Sequence, residues 1–250
     1  MMPNASANSR VAIIAGGTGG IGRAVGLTLA RRGWAIGACY RENEAKAAAL
    51  RSELEGLGTP FRLIRADVSN PDAAREFIRI IGKEYGRIDA LICCVGAYHR
   101  VPLMEESIEG WHAMFDHNLH TVFYLSRAVA PLMMERGWGR IVNFGMVNAG
   151  QLTGQPFITA HYIAKIGVLV LTRSLAKMLA PHGITANSVS PGFIETGSVS
   201  QEEMEQSFKS IPAGYVGSPD DVVGAVCFLL SDEARYVNGA DIQVSGGWGI

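Results

Sequence analysis

Two short stretches hold residue types whose spacing can do chemistry. In His161-Tyr162-Ile163-Ala164-Lys165 a histidine stands one helical turn before a lysine, so both side chains share a helix face. An imidazole titrates near neutrality and can pass a proton without help, while a neighbouring ammonium disfavours the imidazolium and draws its pKa down. Tyr162 brings a phenol one position further on, about 100° round the helix, and serves the same side only if the helix starts irregularly. The second stretch is Ala15-Gly16-Gly17-Thr18-Gly19-Gly20-Ile21-Gly22. Residues without side chains let the backbone approach a pyrophosphate, and the N–H groups of a helix that follows then face the anion.

Such a loop works only between a strand and a helix, and the chain supplies that frame repeatedly. Apolar, β-branched runs predict strands at 11–15, 34–40, 61–66, 88–95, 140–144, 184–190 and 241–244. Helices are predicted at 21–32, ended by Gly33, and at 42–57; a third opens at Pro71 with Ser69 or Asn70 as its cap. A long helix should then run to about Arg136, with others at 158–179, stopped near Pro181 and Gly183, and at 219–230. Apolar strands alternating with helices predict an α/β Rossmann fold: a doubly wound, parallel, seven-stranded sheet with helices on both faces, joined by right-handed crossovers. No linker or repeat breaks the pattern, so one domain is expected over 10–250, behind a flexible, polar segment at 1–9.

The 250 residues carry 22 basic and 23 acidic side chains, a net charge of −1, which offers no field for nucleic acid or an anionic membrane surface. Hydrophobic residues at 48% against 18% charged exclude bulk disorder. Cys39, Cys93, Cys94 and Cys227 are too scattered for a disulfide scaffold, and Cys93 beside Cys94 matches no common zinc spacing. His112, His117 and His120 lie on the Asn118 helix, where solvated or capping roles are expected rather than a metal. The first ten residues have no apolar core of a signal peptide, and no run reaches the ~18 apolar residues of a membrane span. A cytoplasmic protein with buried thiols is the expectation.

The spacing Gly16, Gly20, Gly22 is not the common G-x-G-x-x-G; it resembles the TGxxxGxG loop of the short-chain dehydrogenase/reductase family, with Ala15 at the threonine position. The resemblance runs from about Ser9 to Gly247. Asp67-Val68 is similar to the family's adenine contact, and Asn118 to its active-site asparagine. Pro191-Gly192-Phe193-Ile194-Glu195-Thr196 resembles the PGxIxT stretch that receives the nicotinamide carboxamide. The resemblance implies a dinucleotide held by Gly16, Thr18, Gly19, Gly20, Ile21, Gly22, Asp67, Val68, Gly96, Lys165, Pro191, Gly192, Ile194 and Thr196. Where NAD-binding members place an acid after the second strand, this chain has Tyr40 and then Arg41. A guanidinium pairs bidentately with a 2′-phosphate that a carboxylate would repel, so NADPH/NADP+ is favoured over NAD(H), an ordinary surface arginine being the alternative.

Family members act through Asn, Ser, Tyr and Lys: tyrosine exchanges the proton, lysine lowers its pKa and holds the nicotinamide ribose, serine polarises the substrate oxygen, and asparagine keeps a water in the relay. Here Lys165 aligns, but His161 stands at the tyrosine position and Met146 at the serine position, and no serine lies between 127 and 173. Asn118, His161, Tyr162 and Lys165 are the catalytic candidates, with Asn148, Gln151, Thr153 or Thr159 able to fill the serine's part. Three readings stay open: His161 donates, Tyr162 donates, or the fold binds nucleotide without turnover as a sensor or partner subunit. The resemblance implies hydride transfer to a carbonyl, or to a C=N or C=C bond, of a small-molecule or acyl-thioester substrate, as in 3-oxoacyl-thioester reductases. Tyr98, Met146, Asn148 and Phe157 are expected in the substrate pocket, beneath a lid at about 196–215 with Met204 and Phe208 facing inward. The family's habit of pairing through the helices at 107–136 and 158–180 implies a homotetramer. The runs Phe123-Tyr124-Leu125 and Val168-Leu169-Val170 are more apolar than one buried face needs, in agreement with that.

Overall fold

Val11, Ile13 and Ala15 turn to one side of the first strand and Ala12 and Ile14 to the other, and all five are buried. A strand apolar on both faces belongs inside a sheet that is covered twice. The computed structural model, which describes residues 9–196 and 208–250, has that sheet. Its strands are β1 (Val11–Ala15), β2 (Ala35–Tyr40), β3 (Phe61–Arg65), β4 (Ala90–Cys93), β5 (Gly139–Phe144), β6 (Ile184–Pro191) and β7 (Asp241–Val244). All are parallel, in the order β3-β2-β1-β4-β5-β6-β7. The sequence-based expectation of a doubly wound, seven-stranded sheet is met.

Helices α1 (Gly20–Arg31), α2 (Glu44–Gly56) and α7 (Pro219–Leu229) cover one face, where Val25, Leu29, Leu50, Leu54, Val222 and Val226 pack on Ala12 and Ile14. Helices α3 (Pro71–Tyr85), α5 (Thr121–Arg136) and α6 (Thr159–Leu179) cover the other. Asn70 caps α3, its side chain accepting from the N–H groups of Asp72 and Ala73, while Pro71 takes the position that needs no donor. Gly33, Gly86, Gly137 and Gly183 each turn the chain with a positive φ after a helix.

One element differs from expectation. The long helix to Arg136 is broken: α4 (Ile108–Phe115) and α5 are separated by a wide turn of π-helix over Asp116–His120. The cause is local. Asn118 Nδ2 donates to the carbonyl of Met114 at 2.9 Å, and Thr121 Oγ1 to that of Asp116 at 2.9 Å, so side chains compete with the regular ladder and widen it.

The order of strands reverses between β1 and β4, which opens a crevice beyond their carboxyl ends. Among the described residues no helix is long and apolar enough to cross a membrane. The expected flexible segment at 1–9 and most of the expected lid, Met204 included, fall outside the described residues; Phe208, at its edge, is exposed.

Candidate active site

The glycine loop joins β1 to α1. A Cβ on Gly22 would stand 2.4 Å from the carbonyl oxygen of Gly16 and 3.2 Å from Cys94 Cβ, so only glycine lets the helix approach the loop this closely. Gly20, at φ +48°, faces Thr196, whose Cγ2 would be 3.1 Å from an added Cβ. The stretch after β6 thus closes over the loop. Helix α1 starts from Gly19 without any side-chain cap, which leaves its first N–H groups for an anion. A cradle that a Cβ would fill, backed by a free helix start, fits the pyrophosphate of a dinucleotide.

Beyond the end of β2 lies a cavity of about 450 Å³ lined by Gly16, Thr18, Gly19, Tyr40, Arg41, Asp67, Val68 and Gly96, among others. Arg41 Nε is 3.0 Å from Glu42 and its Nη1 is 3.3 Å from His117 Nε2. The Tyr40 hydroxyl donates to Glu44 at 2.9 Å, and that bond pushes the phenol above its usual range. Partial burial works to raise the Asp67 carboxyl, but the hydroxyl of Ser69 at 2.7 Å and its N–H at 3.0 Å hold it lower, as an anion. Lys46 joins this cavity and was missed from the sequence: it sits in the first turn of α2, its Nζ 3.6 Å from where a Cβ on Gly19 would be. An amine one turn into the helix after β2 was the available signal.

The main cleft, about 730 Å³, opens beyond β4, β5 and β6. Ile21, Tyr98, Asn118, Met146, Asn148, His161, Lys165, Pro191, Gly192, Ile194 and Thr196 all line it. His161 and Lys165 arrive on one face of α6, as their spacing requires. His161 Nδ1 lies 2.9 Å from the carbonyl oxygen of Ala97. A carbonyl only accepts, so the neutral ring carries its hydrogen on Nδ1 and presents a lone pair at Nε2. Burial, and then the Lys165 cation, push His161 down to about 4 against the pull of the Ala97 bond. Lys165 Nζ donates to the carbonyl of Phe144 at 2.9 Å, and burial draws it down to about 8.

Asn118 holds the same carbonyl of Ala97 with its Nδ2, at 2.9 Å. Its Oδ1 is buried and has no hydrogen-bond partner among the described residues. That oxygen faces Gly96, where a Cβ would be 2.8 Å from it and 3.6 Å from Lys165 Nζ. Gly96 therefore carries no side chain because Asn118 and Lys165 meet there. The thiols of Cys93 and Cys94, pushed up by burial, are not nucleophiles at neutral pH.

Of the candidates for the serine's part only Asn148 lines the cleft; Gln151, Thr153 and Thr159 do not, and neither do Tyr162 and Phe157. Helix α6 begins regularly, Tyr162 N donating to Ile158 at 2.9 Å, so nothing rotates Tyr162 into register with Lys165. Its ring is buried beside Ala149 and Leu169. Its hydroxyl donates to the carbonyl of Asn148 at 2.9 Å and accepts from Thr153 N at 3.2 Å, tying down the loop between β5 and α6. Phe157 stands outside, exposed, with the Arg100 guanidinium 4.9 Å above its ring. Arg100 itself lines the cleft, as do Phe193 and Trp248, whose rings are 4.5 Å apart; none of the three was named as a site residue from sequence.

Comparison with known proteins agrees with this geometry. The family model described as enoyl-(acyl carrier protein) reductase matches residues 15–249. The chain is 34% identical over 243 residues to nodulation protein G of Azospirillum brasilense, covering 96% of this chain and 98% of that protein. It is 34% identical over 240 residues to a 3-oxoacyl-(acyl-carrier-protein) reductase of Synechocystis, 96% of each. A short-chain type dehydrogenase/reductase from Mycobacterium ulcerans has the same fold, with a TM-score of 0.88 at 27% identity, over 95% of this chain and 89% of that one. By its sequence, its strand order and its glycine loop, the chain belongs to the short-chain dehydrogenase/reductase family of oxidoreductases.

Proposed function

We propose that the protein is an NADP(H)-dependent oxidoreductase that interconverts a hydroxyl and a carbonyl, with His161 as the group that exchanges the proton. The observation that carries this reading is the pair His161 and Lys165 on one wall of the cleft, while Tyr162, the phenol next to His161 in the chain, is committed to a loop. When bound, the nicotinamide supplies or accepts the hydride. Gly16, Gly20 and Gly22 would admit the pyrophosphate, and Arg41 with Lys46 would pair with the 2′-phosphate. Lys165, fixed by Phe144, holds the ribose side of the cleft, as the family's lysine does.

His161 works through Nε2. In oxidation the lone pair takes the hydroxyl proton as hydride leaves the carbon; in reduction the imidazolium returns that proton to the oxygen. Ala97 fixes the tautomer, so no ring flip is needed between the two. Met146 brings no hydroxyl to the substrate oxygen, and Asn148 brings an amide to the same cleft in its place. An acyl thioester of the kind named for the Synechocystis relative is one member of the substrate class. Assembly into a homotetramer is supported by Phe123, Ile163, Val170 and Met178, apolar side chains left exposed along α5 and α6.

The test is an assay of both nucleotides against a panel of secondary alcohols and ketones. Turnover that disappears in His161→Phe while nucleotide binding persists supports the proposal. Nucleotide binding with no turnover on any substrate makes the protein a binding subunit instead. Light scattering that gave a single-chain mass at micromolar concentration would end the assembly proposal.

A further inference from the structure

We propose that Arg100 selects substrates that carry an oxyanion, a carboxylate or a phosphate, away from the reacting carbon. This deepens the reading of the main cleft as an active site and rests on it. Three basic side chains line that cleft, Arg100, His161 and Lys165, and no aspartate or glutamate lies among its described lining residues. Lys165 sits at the floor, donating to the carbonyl of Phe144 and, in the reading above, serving the ribose side, and His161 is neutral near pH 7. The positive charge left for a ligand is on Arg100.

That guanidinium is placed rather than loose. Arg100 is exposed at the opening, and its guanidinium carbon lies 4.9 Å from the centroid of Phe157, a cation-π contact that biases where the cation sits. It has no hydrogen bond or ion pair among the described residues, and the carboxylate of Glu106 is engaged by His99, the residue before it, at 2.6 Å. The backbone that carries it is pinned on both sides. Val101 N donates to Phe157 O at 2.8 Å and Leu103 N to Pro156 O at 2.8 Å, while the carbonyl of Ala97 holds Asn118 and His161. Tyr98 and Arg100 both line the cleft, and Tyr98 meets the His161 ring edge-on at 5.3 Å. One short segment thus fixes the proton-exchanging ring and, three residues later, an unpaired fork of donors at the same opening. A planar fork matches two oxygens of a carboxylate or phosphate, whereas a neutral ligand offers it no such partner.

The oxyanion has two sources, the carboxylate of a free hydroxy or oxo acid, or the phosphate of a phosphopantetheine arm. Hydroxy acids with the hydroxyl on the second to the fifth carbon are compared with their methyl esters, and S-acyl phosphopantetheine with S-acyl pantetheine. The expected result is at least about tenfold higher kcat/KM for the anionic member of one pair, carried mainly by KM. Whichever pair shows it identifies the source. Arg100→Gln should abolish the preference with NADPH affinity retained, and Arg100→Lys should keep part of it. A preference that survives Arg100→Gln, or none in any pair of the wild type, overturns the proposal. If no compound turns over, the dehydrogenase reading fails separately, and Arg100 is judged by binding. Nucleotide-loaded protein is then titrated with the same acids and esters, followed by the fluorescence of its tryptophans, Trp248 being in the cleft. Acid binding lost in Arg100→Gln sustains the proposal; equal binding of acid and ester ends it.

Discussion

The loop between β1 and α1 and the loop between β5 and α6 flank one cleft, yet they constrain their residues in different ways. The first is held by backbone meeting backbone: the carbonyls of Gly16 and Cys94 stand where side chains would have to go. The second is held by a side chain, the Tyr162 hydroxyl bonded to Asn148 and Thr153, and it tolerates Asn148 and Leu152 in left-handed conformations. Nothing lies within 4 Å of a Cβ added to Gly150 or Gly154. A site fixed by main chain leaves little freedom in sequence, whereas a site fixed by side chains can exchange them. The nucleotide end accordingly keeps its glycines, while the chemical end, in the reading proposed above, takes His161 and Met146 in place of tyrosine and serine.

The sharpest test of that contrast is a pair of substitutions. Gly22→Val forces its Cβ against Gly16 O at 2.4 Å, a backbone atom that cannot yield. It should weaken NADPH binding by about 10²-fold or more, in line with the close helix–loop packing the motif needs. Gly154→Ala, with open space around it, should leave binding within about twofold and stability within ~0.5 kcal/mol. Calorimetric titration and thermal unfolding of both variants decide the matter. Comparable losses in the two would remove the distinction.

His161→Phe comes next in size. It should lower turnover by about 10²-fold, the scale of a lost general acid or base, without changing NADPH affinity. The pH profile sharpens this. Only the imidazolium can protonate a carbonyl oxygen, and its pKa is about 4, so reduction should fall about tenfold per pH unit above that value. Oxidation needs the neutral ring and should be insensitive to His161 from about pH 5 upward. The same depression acts on stability. Between about 4 and the ordinary 6.5 the unfolded chain binds a proton that the folded chain does not, so stability rises with pH across that window and is lost as pH falls through it. In urea titrations the pH dependence of stability should differ between the wild type and His161→Phe in that window and run parallel above it. A reduction rate controlled only by a group titrating near 8 would point to Lys165 instead.

At the adenosine end the contrast predicts a smaller effect, because exposed charges act there. Arg41→Ala should reduce the preference for NADPH over NADH by about tenfold, equivalent to ~1.4 kcal/mol. Glu42 and His117 already engage this guanidinium, which limits the gain from the 2′-phosphate and gives Lys46 a share. Lys46→Ala should therefore weaken NADPH binding by severalfold and leave NADH unchanged. Equal affinities of the wild type for both nucleotides would dispose of the assignment.

How much of this was legible in the sequence follows the same division. Strand and helix order could be read because apolar alternation on β1 and caps such as Asn70-Pro71 are local signals. The glycine loop could be read because its constraint is steric and leaves glycines behind. The π turn at Asn118 could not: it arises from side-chain bonds to Met114 and Asp116 carbonyls inside a stretch that the sequence pattern runs through as one helix. Arg100 and Lys46 lie outside the segments that carry the family pattern, and only the fold carries them to the cavities. The orientation of Tyr162 depended on whether α6 begins regularly, which is decided by the Tyr162–Ile158 bond and by no residue type.

That orientation supplies the smallest expected effect and the cleanest break between structure and chemistry. Tyr162→Phe keeps the ring among Ala149 and Leu169 and removes only the hydroxyl. Two partners then lose their bond, the carbonyl of Asn148 and the N–H of Thr153. Each net hydrogen bond contributes about 1 kcal/mol, so losing both should make the variant unfold roughly 4–8 °C lower for a domain of this size. Turnover should change by less than about threefold, since the ring faces away from Lys165 and the hydroxyl touches no part of the cleft lining except the Asn148 backbone. The comparison with His161→Phe is what gives the measurement its force. A fall in turnover as large as that of the histidine variant, with the melting temperature unmoved, would make the phenol the proton carrier and the imidazole the spectator.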